Sequence, residues 1–253
     1  MIDVNVSLFR WPFRRFAVDE PAELVASLRK KGVTEAWAGS FEGLLHRDIS
    51  GVNARLAAAC RRDGRGFLVP FGSVNPLIPG WQEDLRRCHE NHGMLGIRLH
   101  PNYHGYALDA PVVTELLAMA ASRGMLVQIA FAMEDVRTQY PLMRVPNVSP
   151  GPLVDLARRI PNMRLLVLNA TRAITRVPGI AQASNINLDI AMMEGVRGVA
   201  DLVAATSLSR VVLGSNSPLY YFESASMKVW EAGLSEDSAG AIREGNARKL
   251  LPR

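Results

Sequence analysis

The residues best suited to chemistry fall in a few short clusters. Asp189 closes the alternating run Ile186-Asn187-Leu188. A carboxylate there can act as a general base, or it can be buried and satisfied by loop N–H groups. Glu134-Asp135-x-Arg137 sets acids beside an arginine, which reads either as a general acid or base oriented by Arg137 or as a loop ion pair. His100 and His104 stand four apart. That spacing puts two metal ligands on one face only in a helix, and Pro101 and Gly105 predict a loop. The expected use is hydrogen bonding by neutral imidazoles, which donate and accept near pH 7. His104 and Tyr106 then either contact a ligand or pack the loop. Arg98, Arg10 and Arg137 are candidate anchors for a carboxylate or phosphate, because a guanidinium grips both bidentately. Arg14 and Arg15 are expected to be solvated or to meet a neighbouring subunit.

These residues need a frame, and the sequence alternates in a way that supplies one. Short apolar or β-branched runs recur at 2–8, 34–38, 67–74, 95–100, 126–131, 164–169, 185–190 and 210–214. Runs apolar on both faces suit parallel strands covered by helices. Between them, helical spacing appears at 21–31, 50–62, 81–91, 110–122, 152–160, 196–206 and 223–232, with a last helix from Ser235. The link after the sixth run contains Pro178 and Gly179, so its helix is expected to be short. Eight βα units without a break in composition predict one (β/α)8 TIM barrel over residues 1–253. An open doubly wound sheet is the competitor, but no glycine-rich phosphate turn follows the first strand. In a barrel the active face lies where strands end and βα loops begin.

Composition narrows the classes. The chain has 253 residues, 48% apolar and 21% charged, which is ordinary for a globular protein and excludes collagen-like or disordered chains. No apolar run approaches the roughly 20 residues of a membrane span, and the opening residues lack a signal-peptide pattern. Cys60 and Cys88 have no CxxC partner, so they are expected to be free thiols in a reducing, cytoplasmic compartment. The net charge of +5 is scattered, without the dense basic stripe of a nucleic-acid binder. Trp11, Phe13, Tyr220, Tyr221 and Phe222 either cover the barrel mouth or join subunits in a homo-oligomer.

Three motifs carry a family resemblance. Ile2-Asp3-Val4-Asn5-Val6-Ser7, Gly96-Ile97-Arg98-Leu99-His100-Pro101 and Val211-Val212-Leu213-Gly214-Ser215-Asn216-Ser217-Pro218 resemble the first, fourth and eighth strands of the amidohydrolase superfamily, in its amidohydrolase-2 branch. Gly245-Asn246-Ala247-Arg248-Lys249-Leu250-Leu251 is similar to its closing helix. The resemblance spans nearly the whole chain and implies the same barrel. It also implies one or two divalent metals, held by a His-x-His, by histidines after strands five and six, and by a strand-eight aspartate. Those positions here read Asn5 and Ser7, Ala130, Asn169 and Asn216. Neutral amides and hydroxyls are poor zinc ligands, so no metal and no other cofactor is expected. A metal-independent lactonase branch exists in the superfamily, but it keeps the strand-eight aspartate that Asn216 replaces.

The expected function is therefore a metal-independent hydrolase or lyase acting on a small anionic molecule. Asp189, His100 and Asp135 would do the chemistry. Arg98, His104, Tyr106, Asn5, Ser7, Asn169, Asn216, Arg10 and Arg137 would line the site. The alternative is a non-catalytic barrel that binds a small molecule or a partner. Neither nucleic acid nor membrane is an expected partner.

Overall fold

The computed structural model describes residues 1–251. Eight parallel strands follow one another around the sheet in chain order. They are β1 (Ile2–Leu8), β2 (Glu35–Ser40), β3 (Leu68–Ser73), β4 (Gly96–Leu99), β5 (Leu126–Ala130), β6 (Arg164–Leu168), β7 (Ile186–Asp189) and β8 (Val211–Val212). The ring closes between β8 and β1, where Val4 N–H donates to Leu213 O and Ser7 N–H to Ser217 O, each at 2.9 Å.

Helices cover the outside: α1 (Pro21–Lys30), α2 (Ile49–Asp63), α3 (Trp81–Glu90), α4 (Pro101–His104), α5 (Pro111–Ser122), α6 (Leu153–Arg159), α7 (Gly198–Ala205) and α8 (Phe222–Glu231). Proline opens α1 and α5, where its missing N–H costs nothing. The link after β6 is a single 3-10 turn, Arg172–Arg176, as its Pro and Gly predict. Two expectations are corrected. The segment after β4 is the helical turn α4, with His100 as its cap, because proline is tolerated at a helix start. The last helix is α9 (Glu236–Gly240) and α10 (Asn246–Leu250) joined by a π turn. That turn lets Ile242 O accept from Leu213 N–H at 2.9 Å, tying the closing helix to the end of β8. No helix among the described residues is long and apolar enough to cross a membrane.

The barrel interior is layered. At the bottom, Ile2, Val4, Trp37, Phe71, Leu126, Leu166 and Val212 pack together with Leu250 and Leu251 of the closing segment. The opposite faces of the strands, including Val6, Leu8, Ile97, Ile129 and Leu188, pack under the helices. In β1 the register against β2 slips between Asp3 and Val6. A bulge of this kind changes which face a residue meets. Ile2 and Val4 therefore join the interior, Val6 and Leu8 join the outer shell, and Asn5 and Ser7 turn inward above the apolar floor.

Candidate active site

Above that floor lies a polar layer built from the upper halves of the strands. Ser73, Arg98 and Gln128 stand side by side in register. The Arg98 guanidinium is 1% exposed. Its Nε donates to Gln128 Oε1 at 2.7 Å, Nη1 to Val6 O at 2.9 Å and Ser7 Oγ at 3.2 Å, and Nη2 to Trp37 O at 3.2 Å. Gln128 in turn donates to Val4 O at 2.9 Å. One side chain thus joins β1, β2, β4 and β5. Burial lowers the Arg98 pKa to about 10, while Asp189 and Asp3 act to raise it. Gly39 makes room for it: a Cβ there would lie 2.6 Å from Nη1 and 2.8 Å from Cζ.

On the other side of the layer, Asn5 aims its amide at two acceptors, Asn169 Oδ1 and Asp189 Oδ2, each at 2.7 Å. Asp189 also accepts from the backbone N–H of Asn169 at 2.9 Å. Asp3 accepts from the backbone N–H groups of Asn5 and Ser215, and from Ser215 Oγ at 2.5 Å. Burial nonetheless pushes the carboxyls of Asp3 and Asp189 up to about 6, against these hydrogen bonds. Asn169 and Asn216 each hold φ 58°, the left-handed conformation that asparagine tolerates better than most residues. From there they donate to Ala132 O and Met133 O, both at 2.7 Å.

Those two carbonyls belong to the loop after β5, which forms part of a cap. Trp11, Phe41, Leu44, Ala130, Met133 and Leu219 pack into one apolar cluster, flanked by Phe13, Phe16 and Tyr103. Trp11 meets the rings of Phe13 and Phe41 edge-on, at 5.5 and 5.1 Å. Of the two uses open to Trp11, the structure shows the cover. Arg14 ties the loop after β1 to that after β5 through Glu134, at 2.5 Å. This corrects the expectation of a solvated or subunit-facing Arg14; Arg15 is mostly exposed beside Asp19. Phe222 is buried, whereas Tyr221 is exposed.

The structure therefore brings together Asn5, Ser7, Arg98, Asn169, Asn216 and Asp189, with His100 beside Arg98, all under the cap. It places the other candidates elsewhere. Arg10 pairs with Glu20 at the surface. Asp135 and Arg137 pair at 2.7 Å on the wall of a cleft of about 360 Å³, which they share with Glu194, Tyr220, Ser224 and Lys228. The guanidinium holds the Asp135 carboxyl down to about 2, so it is a weak proton acceptor at neutral pH. His104 bonds Gly43 O through Nε2 at 2.8 Å, and Tyr106 is buried nearby.

Three residues escape sequence reasoning. Asp3 and Gln128 lie inside apolar runs, and a charge or amide in such a run is the signal that marks them. Lys228 sits in an ordinary amphipathic helix and carries no signal. Its ammonium reaches the loop after β7 and donates to Ala191 O at 2.5 Å. Burial lowers its pKa, with Asp189 and Glu194 opposing the shift.

Two opposing pH effects follow from this layer. Asp3 and Asp189 ionise near 6 when folded against 3.8 as free groups. The stability they contribute is complete below 3.8 and is lost as pH rises through 6. His100 works the other way, because burial drives its pKa well below 6.5. Its contribution is complete above 6.5 and is lost as the pH falls below that value. In His100→Asn, the melting temperature relative to wild type should therefore rise as pH falls from 7 to 5. A pH-independent difference in thermal melts would contradict that assignment.

Among the described residues, no group of three or more His, Cys, Asp or Glu side chains is placed to hold a metal ion. The sequence matches the family described as amidohydrolase over residues 12–253. No curated protein matches it. Among solved structures, 2,6-dihydroxybenzoate decarboxylase from Rhizobium superposes with a TM-score of 0.73 at 11% identity, over 99% of this chain and 97% of that one. Dihydroxybenzoic acid decarboxylase from Polaromonas sp. JS666, with bound manganese and 2-nitroresorcinol, gives 0.74 at 10% identity, over 99% and 96%. The 5-carboxyvanillate decarboxylase LigW from Sphingomonas paucimobilis gives 0.74 at 12%, over 99% and 98%. At such identities the likeness speaks to the fold alone.

Proposed function

The chain belongs to the amidohydrolase family, and from that premise we propose that it binds a small organic anion at the mouth of its barrel without a divalent metal. The observation that carries the metal-free reading is the direction of the Asn5 amide. Both of its acceptors, Asn169 Oδ1 and Asp189 Oδ2, are met by N–H protons at 2.7 Å. A cation at this point would face those protons where it needs lone pairs. The fixed charge of Arg98 already stands in the same interior. The donor set does not fit a metal.

The anion is assigned to the cleft between the loops after β5 and β7 and helix α8, where Lys228 and Arg137 stand opposite the carboxylates of Glu194 and Asp135. Asp135 is already paired with Arg137, so that Lys228 is the cation left to meet the anion, beside the hydroxyls of Ser224 and Tyr220. The named substrates of the solved neighbours, dihydroxybenzoate and carboxyvanillate, support an aromatic carboxylate as the class to try first. Calorimetric titration with 2,6-dihydroxybenzoate should show binding that weakens at least tenfold in Lys228→Ala, about 1.4 kcal/mol. Resorcinol, which lacks the carboxylate, should bind no better to wild type than to the variant. Equal affinity of both proteins for the benzoate would mean that the anion does not bind in this cleft.

A second reading, metal-independent lysis or hydrolysis, is favoured by Asp189. Its carboxyl titrates near 6, where a group can both give and take a proton. His100, which follows β4 and lies against Arg98 and His104, is across the barrel from Asp189. Asp189 would therefore act without it, while Asp135, held ionised by Arg137, would serve the cleft wall. Under this reading Asp189→Asn abolishes turnover of the bound carboxylate and keeps the fold. Turnover equal to wild type would leave the barrel as a binding protein.

A further inference from the structure

The anion cleft does not end at Lys228. A second groove, of about 630 Å³, continues from it along α8, with Glu194, Val196, Tyr221, Met227, Lys228 and Glu231 in its lining. Glu194, Ser224 and Lys228 line both spaces, so the ammonium stands at their junction. The helix period explains the shared wall. Ser224, Met227, Lys228 and Glu231 follow one another at i, i+3, i+4 and i+7 and so share one face of α8. The loop after β7 supplies Glu194 and Val196. Both spaces fall within the range typical of small-molecule sites, about 300–1,000 Å³.

Charge divides the combined space. Among the described residues that line the groove, Lys228 is the only cation. Its ammonium donates to Ala191 O and Ile190 O, at 2.5 and 3.4 Å, which leaves a third proton for a ligand. The other charges of the groove are the carboxylates of Glu194, Glu223 and Glu231, and Glu223 already pairs with Lys31 at 3.1 Å. Beside them Val196, Tyr221 and Met227 present apolar surface that is 73%, 83% and 54% exposed. Contiguous uncovered apolar surface with a polar rim marks a binding groove. A ligand that fits carries one negative charge at Lys228 and none beyond it, because a second would meet Glu194 and Glu231 with no cation to offset them. We propose that cleft and groove are one site for a carboxylate with an uncharged apolar tail, its head at Lys228 and its tail against Val196, Tyr221 and Met227. The proposal rests on the anion reading of the cleft and adds to it the length and the charge of the ligand.

Calorimetric titration with three acids tests this: benzoate, 4-butylbenzoate, and 4-(3-carboxypropyl)benzoate, in which a carboxylate replaces the terminal methyl. The butyl tail should tighten binding to wild type about tenfold, as expected for four carbons partly withdrawn from water. The second carboxylate should cancel that gain. Val196 and Met227 are exposed, so the double variant Val196→Ser/Met227→Ser should fold normally. In it the gain from the tail should shrink to about threefold or less, while benzoate, held by its head alone, binds as it does to wild type. A gain that is absent in wild type, that survives in the double variant, or that the diacid shares overturns the proposal and leaves the cleft intact. Lys228→Ala without effect on either benzoate or 4-butylbenzoate would instead defeat the anion reading, and this proposal with it. A mass of two chains by light scattering, returned to one chain by the double variant, would give the groove to a second copy and overturn the proposal as well.

Discussion

Arg98→Met should lower the melting temperature by roughly 6–20 °C, equivalent to about 3–5 kcal/mol for a chain of this size. The guanidinium is the hub of the polar layer. Its loss strands Gln128 Oε1, Ser7 Oγ and the carbonyls of Val6 and Trp37 in the barrel interior. It also removes positive charge that acts on both Asp3 and Asp189. Arg98→Lys should recover only part of the loss, because an ammonium has three donors and no planar fork. Gly39→Ala supplies the control. Its added carbon would crowd Nη1 and Cζ of Arg98, so it should cost about 1–3 kcal/mol in wild type. In the Arg98→Met background the penalty should largely disappear. Additive losses in thermal melts would mean that Gly39 and Arg98 do not share the space in the way described.

Trp11→Ala should have the next largest effect, about 3–5 kcal/mol, as expected for truncating a buried indole. Trp11 is 2% exposed and anchors the cap over the polar layer. The cap is coupled to that layer, since Ala132 O and Met133 O accept from Asn169 and Asn216. Opening it should admit water to Asp189. Burial is the main force raising that carboxyl to about 6, so in Trp11→Ala its pKa should fall back toward 3.8. Carboxyl NMR titration of wild type and variant reads this directly. A lowered melting temperature with the Asp189 value unmoved would mean that the cap stabilises the barrel without sealing it.

The fold was legible because eight apolar runs each carry enough β-branched and aliphatic residues to mark a doubly covered strand, and Pro and Gly punctuate the helices between. The site was legible only in part. In β1 the sequence alternates apolar Ile2, Val4, Val6 and Leu8 with polar Asp3, Asn5 and Ser7, which reads as one apolar face and one polar face. The register slip between Asp3 and Val6 divides that apolar set between floor and outer shell, and no local residue pattern announces it. Arg98 reads from sequence as an anchor for an external anion; its donors instead meet four acceptors of the barrel itself. Asn169 and Asn216 read as former ligand positions. The structure adds a backbone reason for asparagine at both, a positive φ. Lys228 could not be found in advance, because its role depends on α8 lying against the end of β7, a contact between elements distant in sequence.

These residues give a barrel whose interior positive charge is the Arg98 guanidinium and whose polar layer lies under an apolar cap. Anion binding in this barrel is proposed to need no divalent metal. The most direct test measures metal content by elemental mass spectrometry on tag-free protein grown with zinc, manganese and iron, and then titrates 2,6-dihydroxybenzoate before and after chelator treatment. Metal-free binding predicts less than about a tenth of a metal per chain, too little for a specific structural or catalytic site, and an affinity unchanged by the chelator. A stoichiometric metal whose removal abolishes binding would contradict it.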